Sequence, residues 1–180
     1  MRLFAGVPIS IENRERISRF TEKLRLSGCR AGWVRPDNLH FTLQFIGETP
    51  VAEQTQFRIA LRAVQFRAFP VKIISAEIFP HEKPRILYLK IADPIPLARL
   101  AGDVSSVLRA AGFRSVDNRP FLAHLTLGRI RNSAEAATYE EKTLLGCHLE
   151  EKIDRFVLYE SKLLPTGPEY NLLEQYECLS

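Results

Sequence analysis

The sequence predicts an α+β protein whose two halves repeat one plan. Segments with the two-residue alternation of strands are interleaved with segments of helical spacing. The order strand, helix, strand, helix, strand is then followed by much the same order again, which points to an internal duplication rather than two unrelated domains. The clearest mark of that duplication is a tetrapeptide: His40-Phe41-Thr42-Leu43 returns as His124-Leu125-Thr126-Leu127.

The chain of 180 residues is long enough for one sizeable core, shared by two lobes within a single domain spanning 1–180. Its 46% hydrophobic and 26% charged residues are those of an ordinary soluble globular protein, which sets disorder aside. No run of 18 apolar residues occurs, so no membrane-spanning helix is expected. The opening Met1-Arg2-Leu3-Phe4-Ala5-Gly6-Val7-Pro8 is too short and too soon interrupted for a signal peptide and reads as a first strand. Cys29, Cys147 and Cys178 are odd in number and lack metal-type spacing, so reduced thiols and a cytoplasmic location are expected. The net charge of +4 is uneven: residues 1–90 carry 15 Lys+Arg against 8 Asp+Glu, and residues 91–180 carry 10 against 13. A basic half suits a phosphate-rich partner such as RNA, and equally a solvated surface.

In order, residues 2–7 form the first strand. Residues 10–27 form an amphipathic helix through Ile11, Ile17, Phe20 and Leu24, with Ser10 as N-cap and Gly28 as its stop. Gly32-Trp33-Val34 is a short strand, and Pro36-Asp37-Asn38 turns into the first His-Thr strand, 39–46. A second helix is expected over 51–66 and a strand over 70–79. The loop Pro80-His81-Glu82-Lys83-Pro84-Arg85 leads to a strand over 86–92, and a third helix spans 95–111. Asp117-Asn118-Arg119-Pro120 turns into the second His-Thr strand, 121–130. A short helix within 131–143, a strand over 152–163 and a closing strand around 170–178 complete the chain.

In a strand, His40 and Thr42 project to one side while Phe41 and Leu43 project to the other, and the same holds for His124 and Thr126. Their Cα atoms lie roughly 6.6 Å apart at ~3.3 Å per residue. Each copy presents an imidazole and a hydroxyl from a rigid element anchored by its other face. A lone His-x-Thr on a strand is ordinary. Its repetition is not, because packing repeats Leu and Phe without calling for His and Thr opposite them. Imidazole, with an ordinary pKa near ~6.5, serves as acid or base around neutrality. One neutral and one protonated imidazole can take a proton from an attacking oxygen and give one to a leaving oxygen. The hydroxyls can donate to the non-bridging oxygens of a phosphate between them, and no metal or other cofactor is required.

With these motifs the chain resembles the 2H phosphoesterases, and within them the LigT-like bacterial and archaeal RNA 2′,3′-cyclic phosphodiesterases, also called 2′-5′ RNA ligases. The resemblance runs through Met1-Arg2-Leu3-Phe4, Trp33-Val34, Asn38 to Leu43, and Pro84-Arg85-Ile86-Leu87-Tyr88-Leu89. It continues through Arg119-Pro120-Phe121, His124 to Arg129, and Phe156-Val157-Leu158-Tyr159-Glu160-Ser161. It implies a bilobal, pseudo-twofold fold with two antiparallel sheets flanking a central cleft and helices outside. It implies metal-independent opening of a terminal 2′,3′-cyclic phosphate to a 2′-phosphate, with His40 as proton donor and His124 as proton acceptor. Thr42 and Thr126 would hold the phosphate oxygens. Reversible chemistry with an RNA 5′-hydroxyl would give a 2′-5′ linkage without ATP. The implied partners are RNA ends bearing a 2′,3′-cyclic phosphate or a 5′-hydroxyl, tRNA halves among them, and the protein would act as a monomer away from membranes.

Five residues after each His stand Phe45, implied to stack on the terminal base, and Arg129, implied to contact phosphate. Simple alternation puts this position on the face opposite the His, so both reach the cleft only if the strand bulges or ends first. Arg85 and Arg119 are further candidates for lining the cleft, each equally suited to a structural ion pair. Tyr88 replaces a Trp frequent in such proteins, with an effect expected on packing only. His81 in its loop and His148 beside Glu150 and Glu151 read as surface residues, and nothing near Cys147 would activate it as a nucleophile. Two rival readings stand beside the first: a 2H phosphodiesterase acting on a small cyclic nucleotide or 2′-5′ oligonucleotide, and a non-catalytic nucleotide- or RNA-binding module.

Overall fold

The computed structural model describes residues 1–79, 86–113, 119–130, 147–165 and 167–179. The strands are β1 Arg2–Pro8, β2 Ala31–Trp33, β3 His40–Glu48, β4 Phe69–Phe79, β5 Ile86–Ile91, β6 His124–Ile130, β7 Leu149–Ile153, β8 Arg155–Leu164 and β9 Gly167–Glu177. The helices are α1 Ile11–Leu26, α2 Gln54–Leu61 and α3 Ile95–Ala110, with single 3₁₀ turns at Pro36–Asn38 and Val51–Glu53.

The strands form one hydrogen-bonded path, β7-β4-β5-β6-β3-β1-β8-β9, with β2 added beside β6. Every pairing between these strands is antiparallel. The path divides into two like triplets, β8-β1-β3 and β4-β5-β6. Their inner strands meet at one partner pair, Phe41 with Leu125. The two expected sheets are therefore halves of one curled sheet joined at its centre. Phe41 and Leu125 are both fully buried. α3 packs on β3 and α2 packs on α3, and just beyond the end of α3 the Phe113 ring stacks on Phe57 of α2, 3.7 Å apart. The helices lie behind the sheet, opposite the face that carries the histidines.

Local chemistry accounts for the helix ends. Ser10 accepts from the Asn13 backbone N–H at 3.4 Å, and the stripe Asn13, Ile17, Phe20, Leu24 is buried at helical spacing. Gly28, with φ of 94°, supplies the left-handed residue that ends α1. Three expected elements differ. The helix of 51–66 is a 3₁₀ turn followed by the shorter α2. The strand of 152–163 is two strands broken at Asp154, because the chain leaves β4 and turns to pair with β1. The second His-Thr strand begins at His124 rather than residue 121. The expected short helix in 131–143 lies outside the described residues.

Glu151 on β7 is only 5% exposed. Its carboxylate accepts from the Ser10 N–H at 3.2 Å, the Ser10 hydroxyl at 2.9 Å and Asn13 Nδ2 at 2.8 Å. Asn13 Nδ2 also donates to the Glu150 carbonyl at 2.8 Å. A buried carboxylate on the N-terminus of α1 is favoured by the helix dipole and ties the first half of the chain to the second. Glu151→Ala leaves three donors without their acceptor. It should lower the unfolding free energy by about 2 kcal/mol, read by urea denaturation, with Glu151→Gln losing less.

Candidate active site

The His face of β3 begins as alternation dictates: Phe41 and Leu43 are buried while His40 and Thr42 are partly open. Alternation then breaks. Thr42 pairs with Gly6 and Gln44 with Ala5, so Leu43 is passed over, and Leu43 and Gln44 are buried in succession. This bulge returns the next residue to the histidine side. Phe45 is 49% exposed, and its ring lies 6.3 Å from that of Phe4, which itself lies 4.9 Å from the His40 ring. β6 repeats the device at the same position. Thr126 pairs with Tyr88 and Gly128 with Leu87, Leu127 is passed over, and Arg129 emerges exposed. The Arg129 guanidinium acts electrostatically on both His124 and the Tyr170 phenol. Gly128 is demanded by the close approach of β2, since a Cβ there would meet the Trp33 ring at 3.1 Å and Ala31 Cβ at 3.2 Å.

The antiparallel pair Phe41–Leu125 sets the mutual position of the motifs. One residue either side of it, His40 runs opposite Thr126 and Thr42 opposite His124, all four on the face away from the core. Both imidazoles are oriented by the backbone. His40 Nδ1 lies 2.6 Å from the Asn38 carbonyl, and His124 Nδ1 lies 2.7 Å from the Leu122 carbonyl. A carbonyl only accepts, so Nδ1 carries the proton in each ring and Nε2 is the nitrogen left to exchange one. His40 Nε2 lies 3.0 Å from the Thr42 hydroxyl, which donates to it while the ring is neutral.

Aromatic rings flank both histidines. Tyr170 meets His40 and Phe79 meets His124, each edge-on at 5.3 Å and 88°. Phe4 and Tyr159 stack at 5.0 Å beside His40, and Tyr88 lies edge-on to His124 at 6.0 Å. Gly6 makes room for this cluster: a Cβ there would meet the Phe41 carbonyl at 3.0 Å and the His40 ring at 3.1 Å. The Tyr88 substitution does more than pack. Its hydroxyl donates to Glu77 at 2.8 Å, and the same carboxylate binds Lys90 at 2.8 Å. Glu77 is held below the usual carboxylate range, first by Lys90.

Burial pushes the His40 pKa down to about 4, opposed by the Asn38 hydrogen bond and aided by the nearby His124. Burial also lowers the pKa of His124, again opposed by its carbonyl bond and aided by Arg129. In the ligand-free protein at neutral pH both rings are neutral. An anion held between them would favour the imidazolium form of either one.

The other sequence candidates scatter. Arg119 is exposed ahead of β6, while Arg85 and His81 lie outside the described residues. His148 is exposed, its carbonyl accepting from Arg16 at 3.4 Å. Cys147 is buried and its thiol pKa is raised by that burial, the reverse of activation. Sequence reasoning missed Gly6, Phe4, Tyr159 and Tyr170. A glycine inside a strand was the one available signal, because it marks a close approach.

The family model for LigT-like phosphoesterases matches the chain twice, over residues 7–88 and 89–170. Among curated proteins, the chain is 33% identical to an RNA 2′,3′-cyclic phosphodiesterase of Archaeoglobus fulgidus, covering 98% of this chain and all of that one. It is 32% identical to one from Thermotoga maritima, covering 99% and 95%. A crystal structure of a Thermus thermophilus protein superposes with a TM-score of 0.81 at 27% identity, covering 98% of this chain and 97% of that one. Escherichia coli LigT, at 24% identity and a TM-score of 0.80 over 99% and 98% of the two chains, shares the fold.

The depressed His40 pKa has a consequence for stability. Above its ordinary value of 6.5, folded and unfolded chains both hold it neutral. Below that, the unfolded chain takes up a proton that the folded chain refuses, so stability is lost as pH falls from about 6.5 to about 4. Imidazole NMR titration should place His40 near the lower value. Urea unfolding between pH 7 and pH 4 should decline less steeply in His40→Gln, and an identical slope would remove this account.

Proposed function

Because this chain belongs to the LigT-like phosphoesterase family, we propose that it is an RNA 2′,3′-cyclic phosphodiesterase. The observation that carries the reading is the paired site itself. Two imidazoles with fixed Nδ1–H tautomers and two hydroxyls converge on one face, delivered by neighbouring antiparallel strands. The names of the relatives point to the same substrate class.

In the proposed reaction the cyclic phosphate sits between the motifs, its non-bridging oxygens accepting from Thr42 and Thr126. His124 Nε2 takes a proton from water as the water oxygen bonds to phosphorus. The bond from phosphorus to O3′ breaks, and His40 Nε2–H gives its proton to O3′, leaving a 2′-phosphate and a 3′-hydroxyl. A depressed pKa makes the His40 imidazolium a stronger acid toward that oxygen, while the bound anion restores its population. Phe45 offers a face to the terminal base and Arg129 a cation to phosphate, from equivalent positions after equivalent bulges. With the 5′-hydroxyl of a second RNA the same site forms a 2′-5′ linkage without ATP. No metal ion takes part in these steps.

An RNA oligonucleotide ending in 2′,3′-cyclic phosphate should be opened with EDTA present, giving 2′-phosphate alone by chromatography. His40→Ala and His124→Ala should each lower kcat by at least about a hundredfold without unfolding the chain. A 3′-phosphate product, or full activity in either variant, defeats the mechanism.

The pH profile offers a separate check. Turnover needs one ring protonated and one neutral, so both limbs of a bell report the coupled pair. Because both pKa values are lowered in the free protein, the kcat/KM bell should peak on the acid side of 6.5. The kcat bell should lie at higher pH, because the bound anion favours the imidazolium. A kcat/KM maximum above pH 7 contradicts the proposed pair.

A further inference from the structure

His40 and His124 share two supports, and differ in what stands behind one of them. Each Nδ1 donates to a carbonyl two residues upstream, and each ring meets an aromatic edge-on at 5.3 Å. The residues that supply the carbonyls differ. Leu122 is 52% exposed and its side chain is apolar, so it serves His124 through its backbone alone. Asn38 is 8% exposed, and its Nδ2 donates to the Pro168 carbonyl at 2.8 Å, at the start of β9. Two residues along β9, the Tyr170 ring lies 4.9 Å from Phe4 and 5.3 Å from His40. β9 thus reaches His40 by two routes, through the residue that orients its Nδ1 and through a ring against its edge.

From this juxtaposition we propose that Asn38 and Tyr170 are positioning residues that hold the His40 imidazole through the β8–β9 hairpin. The Asn38 carbonyl fixes the tautomer only while the Pro36–Asn38 turn keeps its orientation, and the Pro168 bond anchors that turn to a strand. Elsewhere the turn is held by the Asn38 N–H to the Arg35 carbonyl at 2.9 Å and by an exposed Arg14–Asp37 pair at 3.3 Å. Without the anchor, the carbonyl swings and the Nε2–H tautomer competes, so the proton-exchanging nitrogen is misplaced. The Tyr170 ring blocks rotation of the imidazole about its own bond. The proposal rests on the reading of His40 as an acid–base group, but the hold on the ring can be measured without substrate.

The test uses ¹⁵N-histidine spectra of the full chain together with turnover of 2′,3′-cyclic phosphate RNA. Asn38→Leu copies Leu122 at the first motif, Tyr170→Leu removes the ring and Tyr170→Phe keeps it. Wild type should show His40 as one Nδ1–H tautomer. Asn38→Leu and Tyr170→Leu should each give averaged tautomer signals at His40 while those of His124 stay put. In both, kcat should fall roughly tenfold with KM within about twofold, since misplacement costs rate rather than binding. Tyr170→Phe should restore the wild-type signals, and the double variant should lose little more than the worse single one, because both act through one hairpin. Unchanged His40 signals, equal disturbance at His124, or a loss confined to KM would overturn the proposal. If wild type opens no cyclic phosphate, the proposed function fails and the nitrogen spectra still decide the positioning. Should Asn38→Leu not fold, the Tyr170→Leu and Tyr170→Phe pair gives the same reading.

Discussion

The site depends on a single point of contact, the partner pair Phe41–Leu125 at the centre of the sheet. Both side chains are fully buried, so the apolar residue inside each motif anchors its strand in the common core. The same pair sets the register, and in a strand a slip of one residue would turn every side chain to the other face. Burying Phe41 and Leu125 therefore compels His40, Thr42, His124 and Thr126 outward together. The hydrophobic effect holds the strands, and the geometry of the polar quartet follows from it.

A second consequence of the strand chemistry is the bulge repeated in β3 and β6. Ideal alternation would bury Phe45 and Arg129. Each strand instead passes over one residue, Leu43 or Leu127, and keeps it in the core. The extra residue increases local twist and re-aims the side chain that follows. Phe45 and Arg129 thereby face the same side as the histidines. That both copies bulge at one position is the strongest structural trace of the duplication beyond the motif itself.

Much of this was legible in the sequence, and the reasons are local. The His-x-Thr copies could be read because strand periodicity alone assigns their faces. The helix α1 could be read from its Ser10 cap and its stripe. The failures are non-local. Nothing local in the sequence marks Glu151 as buried, and only the approach of α1 to β7 makes it a buried cap. Tyr88 looked like packing until β4 brought Glu77 to its hydroxyl. Tyr170 reaches His40 because the hairpin folds back over the first half, a contact that no window of sequence contains.

Duplication poses a chemical difficulty that the unrepeated residues resolve. Identical scaffolds would give two histidines identical proton affinities, whereas the reaction we propose sets one as acid and the other as base. The repeated parts are the strand, the bulge, the upstream carbonyl and the edge-on ring, and these fix position. Among the parts that do not repeat are those that act on charge. The first copy has an uncharged Phe45 where the second has Arg129, which lowers the affinity of His124 for protons. The first has Gly6 where the second has Tyr88, so His40 lies close against β1 while His124 borders the Glu77–Lys90 pair. His40 is the more enclosed ring and is held by Asn38, a residue tied into the hairpin. Substitution at these flanking positions can tune each proton affinity separately while the core pair keeps the two rings in register.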